Sequence, residues 1–131
     1  MNVCDHASHP REEWRAGVVT RMQVSALNGS TQLCLFEQWC DPGLGAPNHR
    51  HPVEEVLTVL AGEAEVWVGE ERAVLTAGQS MIVPPHTAHG FRNRGTATLH
   101  VLATLAAPAF EAAYDDRREV SRRWRAPAPS G

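Results

Sequence analysis

A chain of 131 residues with 43% hydrophobic content fits one domain built around one core. Its formal net charge of -3 is too small to point to nucleic acid or an anionic membrane surface as a partner. All 12 basic residues are arginine, which excludes lysine Schiff-base chemistry.

In chain order, residues 1–13 are polar and punctuated and read as a mobile lead-in. Cys4, Asp5, His6 and His9 lie there, where loose, adventitious metal binding is the favoured role. Residues 14–27 alternate around Val18, Val19 and Met22 as a strand, and Asn28-Gly29 is a hairpin signal. Residues 31–39 form the next strand, ending at Asp41-Pro42-Gly43. Phe36, Glu37, Gln38 and Trp39 lie on it as one wall; half of such a wall faces inward, and the pattern leaves open which half. A Gly/Pro-rich loop over 42–48 then leads to His49.

Further strands are read over 56–60, 63–68, 72–75 and 80–83, with turns at Ala61-Gly62-Glu63, Gly69-Glu70 and 76–79. Pro84-Pro85 ends that run because proline donates nothing to a sheet ladder. Segments 89–92 and 97–105 complete the set. Many short strands with turn signals every eight to twelve residues or so predict an all-β sandwich or barrel over 14–107. Residues 108–125 carry Phe110, Ala113, Tyr114 and Val120 among dense charges and predict an amphipathic C-terminal helix lying on the barrel. The sequence APAPSG at 126–131 reads as a disordered tail.

Cys4, Cys34 and Cys40 form no CxxC pair. With no leader-like N-terminus and no long apolar run, the expectation is a soluble, cytoplasmic protein with reduced thiols. Cys34 and Cys40 share parity on one strand, where inert packing is preferred to an active-site thiol.

The chemistry concentrates between Gly43 and Gly62. In extended chain, His49, His51 and Glu55 share a face, and imidazoles two residues apart have Cβ atoms roughly 6–7 Å apart. Val53, Leu57 and Val59 share that parity, so the face turns inward, where an unpaired imidazole or carboxylate is costly. A surface histidine loop is therefore the weaker reading. Imidazole nitrogen and carboxylate oxygen suit one divalent Fe, Mn, Ni, Zn or Co ion. His89 is the candidate fourth ligand, and Glu54, on the opposite face, is set aside.

Two spaced motifs carry a resemblance. Gly43, His49, His51, Glu55 and Gly62 match a glycine, five residues, HxH, three residues, glutamate, six residues, glycine. Gly78, Pro84, His89 and Asn93 match the second motif, with His86 standing where a glycine is usual. Over about residues 30–106 the chain resembles the small single-domain cupins, double-stranded β-helix barrels of jelly-roll type. The resemblance implies a mononuclear metal held by His49, His51, Glu55 and His89, and a homodimer with 14–27 as the pairing element, since exposed sheet edges are commonly covered.

Four ligands leave an octahedral ion two open positions. The leading expectation is a dioxygenase-type oxidoreductase on a small organic molecule. A redox-neutral isomerase, cyclase or lyase is the alternative, and a non-catalytic small-ligand binding module is the third reading. His86, His100 and Gln38 are the candidate catalytic residues. His86 is weighed as an acid–base group at the mouth against a merely solvated turn residue, and His100 as a pocket group against the preferred backbone-bonded core histidine. Gln38 stands as a residue of the wall strand. No nucleotide loop or second cofactor signature accompanies them.

Overall fold

Alternating apolar and polar residues produce twelve strands among residues 1–127, the part of the chain that the computed structural model describes. They are β1 (Glu12–Arg15), β2 (Val18–Val24), β3 (Cys34–Cys40), β4 (Gly45–Arg50), β5 (Glu55–Ala61) and β6 (Glu63–Val68), followed by β7 (Glu71–Thr76), β8 (Ser80–Val83), β9 (His89–Asn93), β10 (Leu99–Leu105), β11 (Phe110–Tyr114) and β12 (Ser121–Arg123). Two six-stranded sheets result, ordered β1-β2-β3-β10-β5-β8 and β12-β11-β4-β9-β6-β7. All the strand pairings are antiparallel. The architecture is all-β, as the strand pattern predicts, and of the jelly-roll type that the resemblance implies; no helix among the described residues is long and apolar enough to cross a membrane.

The core lies between the sheets. Along β10, Leu99, Val101, Ala103 and Leu105 are buried and the residues between them turn outward, the period of two that a strand imposes. Leu57 and Val59 of β5, Phe36 of β3, and Phe91 of β9 meet them from neighbouring strands. Each fully buried side chain of this size contributes about 1.5–3 kcal/mol. The parity left open on β3 is now fixed: Cys34, Phe36, Gln38 and Cys40 face the interior, while Leu35, Glu37 and Trp39 lie on the outer face.

Several elements differ from the sequence reading. The helix over 108–125 is absent; β11 and β12 form a hairpin that extends the second sheet beyond β4. Phe110 and Tyr114 are four apart and fit either period, but Ala112 between them is fully buried, which only a strand achieves. The charged residues 115–119 that suggested a helix lie in the exposed connection between the two strands. The loop at 42–48 is also shorter than anticipated, because 45–48 already belong to β4. The strand over 14–27 divides at Gly17 into β1 and β2, and Asn28-Gly29 closes a short 3-10 turn (Ala26–Asn28) rather than a two-residue hairpin. The first 13 residues hold another 3-10 turn, His6–Ser8, and the start of β1. Of the expected tail, residues 128–131 fall outside the described part.

Gly45 shows how closely β4 and β9 approach. A Cβ there would collide with the Phe91 backbone carbonyl, which no rotamer change relieves. Gly45→Ala is expected to cost about 1–3 kcal/mol, the usual range for overpacking. Gly95→Ala, whose Cβ would meet only Asn93 Oδ1 at 3.6 Å, should change little. Thermal melts of the two variants check this; equal midpoints would show that β4 shifts without cost.

Candidate metal centre

His49 on β4 pairs directly opposite His89 on β9 in one sheet. Glu55 opens β5 in the other sheet, between Val83 of β8 and Leu105 of β10. His51 lies just past β4, in the short segment that carries the chain across. The cluster therefore joins the two sheets. The shared inward face read from the sequence is present, but no single strand carries it: bends at Pro52 and Val53 break the chain between the histidines and the glutamate. His49, His51, Glu55 and His89 are 5%, 2%, 5% and 1% exposed, and their donor atoms all lie within 4.8 Å of one another. Glu54 is exposed, as its parity requires.

Each imidazole is oriented by a backbone carbonyl. His49 Nδ1 lies 2.7 Å from Pro47 O, His51 Nδ1 2.8 Å from Glu111 O, and His89 Nδ1 2.8 Å from Thr87 O. A carbonyl only accepts, so each Nδ1 carries the hydrogen and a neutral ring leaves Nε2 as a lone pair. Those Nε2 atoms meet the carboxylate. His89 Nε2 is 2.9 Å from Glu55 Oε1, and His51 Nε2 is 3.6 Å away, beyond hydrogen-bond range and otherwise unpartnered. Lone pairs facing a buried carboxylate at these distances need a cation or a proton between them. The donor set, its carbonyl-fixed outer contacts and the orphaned His51 Nε2 all fit one divalent transition ion.

Electrostatics lead to the same place. Burial, and then the nearby His89 and His51, push the His49 imidazole down to about 3, so it is neutral and able to ligate at ordinary pH. Burial opposes charge on His51, but the Glu55 carboxylate and the Glu111 carbonyl outweigh it and raise its pKa. Burial would also raise Glu55; the two histidines facing it overcome that and hold it well below the usual carboxylate range. Burial lifts the Cys34 and Cys40 thiols to about 12, leaving both protonated, as inert packing requires.

The two spaced motifs also touch through backbone. Gly43 N donates to Asn93 O at 2.9 Å, and His86 N donates to His51 O at 2.7 Å. His86 takes φ 61°, the left-handed conformation for which glycine is the usual residue. Its side chain is exposed and stands apart from the cavity beside the cluster. His100 is on the outer face, stacked on Trp39 with ring centroids 4.9 Å apart and with Nε2 3.6 Å from Glu37. Of the three candidate catalytic residues, only Gln38 lines the cavity, its amide donating to Thr20 Oγ1 at 3.0 Å.

That cavity holds about 20 Å³. The sequence reading missed much of its wall: Trp14, Arg15, Phe110 and Tyr114. Trp14 and Arg15 are consecutive, so a regular strand would send them to opposite faces. A register shift between Glu13 and Arg15 brings both to the cavity, a redirection typical of β-bulges. Arg15 donates to Gly45 O at 2.8 Å and reaches Tyr114 Oη at 3.5 Å. The period-two pattern Phe110, Ala112, Tyr114 was the available signal for the last two residues.

Comparison with known proteins agrees with this geometry. A family profile described as "Cupin domain" matches residues 38–105. Auxin-binding protein 1 of Arabidopsis thaliana is 27% identical over 110 residues, 76% of this chain and 56% of that protein. H2HPP isomerase of Bacillus subtilis is 33% identical over 82 residues, 62% of this chain but only 33% of that protein. The chain thus spans about half and a third of these two relatives. An RmlC-like cupin from Shewanella frigidimarina superposes with a TM-score of 0.68 at 28% identity, covering 88% of this chain and 98% of that one.

His51 sets an expected pH dependence. Its raised pKa means that a proton occupies its Nε2 below a value above the ordinary imidazole pKa of about 6.5. Bound metal must displace that proton, so affinity rises with pH and levels off once His51 is neutral. Below that point, affinity for Zn or Ni should fall by about tenfold per pH unit. Calorimetric titrations between pH 5.5 and 8.5 test this; a flat profile would show that no imidazole proton is displaced.

Proposed function

The chain belongs to the cupin family, and we propose that it is a metal-dependent enzyme acting on a small carbonyl compound without net redox change. The carrying observation is the buried carboxylate faced at 2.9 Å and 3.6 Å by imidazole nitrogens whose hydrogens are committed elsewhere. His49, His51, Glu55 and His89 would hold one divalent Fe, Mn, Ni, Zn or Co ion, which supplies Lewis-acid polarisation of a carbonyl or enol oxygen.

The remaining wall supplies positioning. Arg15 is the fixed positive charge beside the cavity, suited to a carboxylate or enolate oxygen. Burial raises the Tyr114 phenol despite Arg15, so it keeps its proton and can donate it. Gln38, tied to Thr20, offers its amide oxygen to a hydroxyl. Apolar Phe36, Leu57 and Phe91 exclude bulk water, which strengthens each of these contacts.

One observation favours this reading over dioxygenase chemistry: the likeness to an isomerase supports neutral chemistry. The likeness to an auxin-binding protein supports the binding-module reading, which turnover distinguishes. We also propose a homodimer paired along the free edge of β1; a monomer by light scattering at micromolar concentration would contradict it.

Metal-loaded protein is expected to exchange the α-protons of 2-oxo acids for deuterium with no oxygen uptake. Proton exchange by NMR, run beside an oxygen electrode, checks both; stoichiometric uptake would restore the oxidative reading. Glu55→Gln keeps volume but loses the charge, so metal affinity should fall at least tenfold with the fold retained. Metal content unchanged in that variant, with only a small stability loss, would remove Glu55 from the ligand set.

A further inference from the structure

We propose that the cavity takes a flat aromatic ligand bearing an acidic oxygen, and that Trp124 is the plug which this ligand displaces. The inference deepens the enzyme reading by naming its substrate class. Three rings that line the cavity, Trp14, Phe36 and Phe110, sit at mutual centroid distances of 5.5, 5.0 and 5.7 Å. A fourth ring already rests on them. The Trp124 indole lies 5.6 Å from Trp14, 5.2 Å from Phe36 and 6.2 Å from Phe110, in tilted and edge-on contacts. The chain itself thus demonstrates that the three-ring cradle accepts a planar bicyclic group.

Trp124 is poorly suited to stay. Its φ is 62°, a backbone region that bulky residues rarely adopt and that is typically stored strain at functional places. It follows β12, a three-residue edge strand whose Arg123 has a buried Nε without a partner. The cavity of about 20 Å³ holds roughly one water molecule, so an organic ligand needs its aromatic wall to open. Trp124, which does not line the cavity itself, is the ring packed against three residues of that wall.

The polar groups at the cradle specify the rest of the ligand. Trp14 Nε1 is a buried donor with no partner, and the bulge sets the Arg15 guanidinium next to it in the chain. Glu55 is the sole carboxylate among the cavity-lining residues, and the metal reading uses it. An acceptor oxygen, preferably charged, satisfies what the wall leaves open.

The test uses the full chain, with tryptophan fluorescence and calorimetry following 1-hydroxy-2-naphthoate, 2-naphthylmethanol and cyclohexanecarboxylate. Metal content is measured on each sample. Trp124→Gly removes the ring and supplies the residue at ease at this φ, and Trp124→Asn serves as a second variant. Expected results are naphthoate binding at least tenfold tighter in these variants than in the unaltered chain, and cyclohexanecarboxylate at least tenfold weaker throughout. Arg15→Gln should weaken naphthoate about tenfold and leave 2-naphthylmethanol unaffected. Naphthoate affinity unchanged or reduced in both folded Trp124 variants overturns the plug, and equal affinity for cyclohexanecarboxylate overturns the ligand class. Absent naphthoate binding in metal-replete protein sinks this inference and leaves the enzyme reading standing. Naphthoate binding to protein that takes up no metal supports the inference although the enzyme reading fails.

Discussion

One buried carboxylate, Glu55, faces one imidazole from the opposite sheet and another from the segment crossing between the sheets, and the interior is organised around that encounter. A lone ionised carboxylate in an apolar core carries a penalty of several kcal/mol, so its neighbours have to be positively charged or hold a cation. That requirement explains why three histidines converge, and why each is turned by a carbonyl on its far nitrogen. It also explains the turn chemistry around them. Asn93 holds Cys40 O and Ala97 O through its amide and accepts from Gly95 N, fixing the strand that carries His89.

The site was legible because its spacing is tied to the fold. Glycines and prolines mark where β4, β5, β8 and β9 begin and end, and the histidines and glutamate sit at set distances from them. Glu55 was separable from Glu54 by its parity and by its spacing to Gly62, and burial alternates along β5 accordingly. Beyond Phe36 and Gln38, the wall of the cavity was not legible, and the reason is specific. A bulge puts Trp14 and Arg15 together against the two-residue period, and no local composition announces it. The C-terminal hairpin was misread because Phe110 and Tyr114 satisfy helix and strand periods alike; what decides is the open edge of β4, a partner far away in sequence. His100 illustrates the same limit, because its side of β10 depends on pairing with β3.

Among the described residues, the non-glycine positions with positive φ are His86 and Trp124. Each contacts a residue of the site without lining its cavity. His86 delivers its N–H to the carbonyl of His51, and Trp124 closes the aromatic cluster that joins Phe110 to the His51 ring, 5.5 Å away. Strain of about 1–3 kcal/mol at each such residue persists only where surrounding contacts overdetermine it. The sheets supply that rigidity, leaving the histidine–glutamate cluster firmly held while the plug hangs from an edge strand.

The hydrogen bond between Gly43 and Asn93 closes a loop whose ends stand fifty positions apart, and it imposes an order on folding. Until the segment around Asn93 has left the ribosome, His49 and Glu55 have no fourth partner, and β4 has no neighbour in β9. A nascent chain shorter than this carries His49, His51 and Glu55 without His89, so the four-residue cluster is complete only after this closure. Long-range pairing of this kind makes folding slow relative to chains stabilised by local contacts.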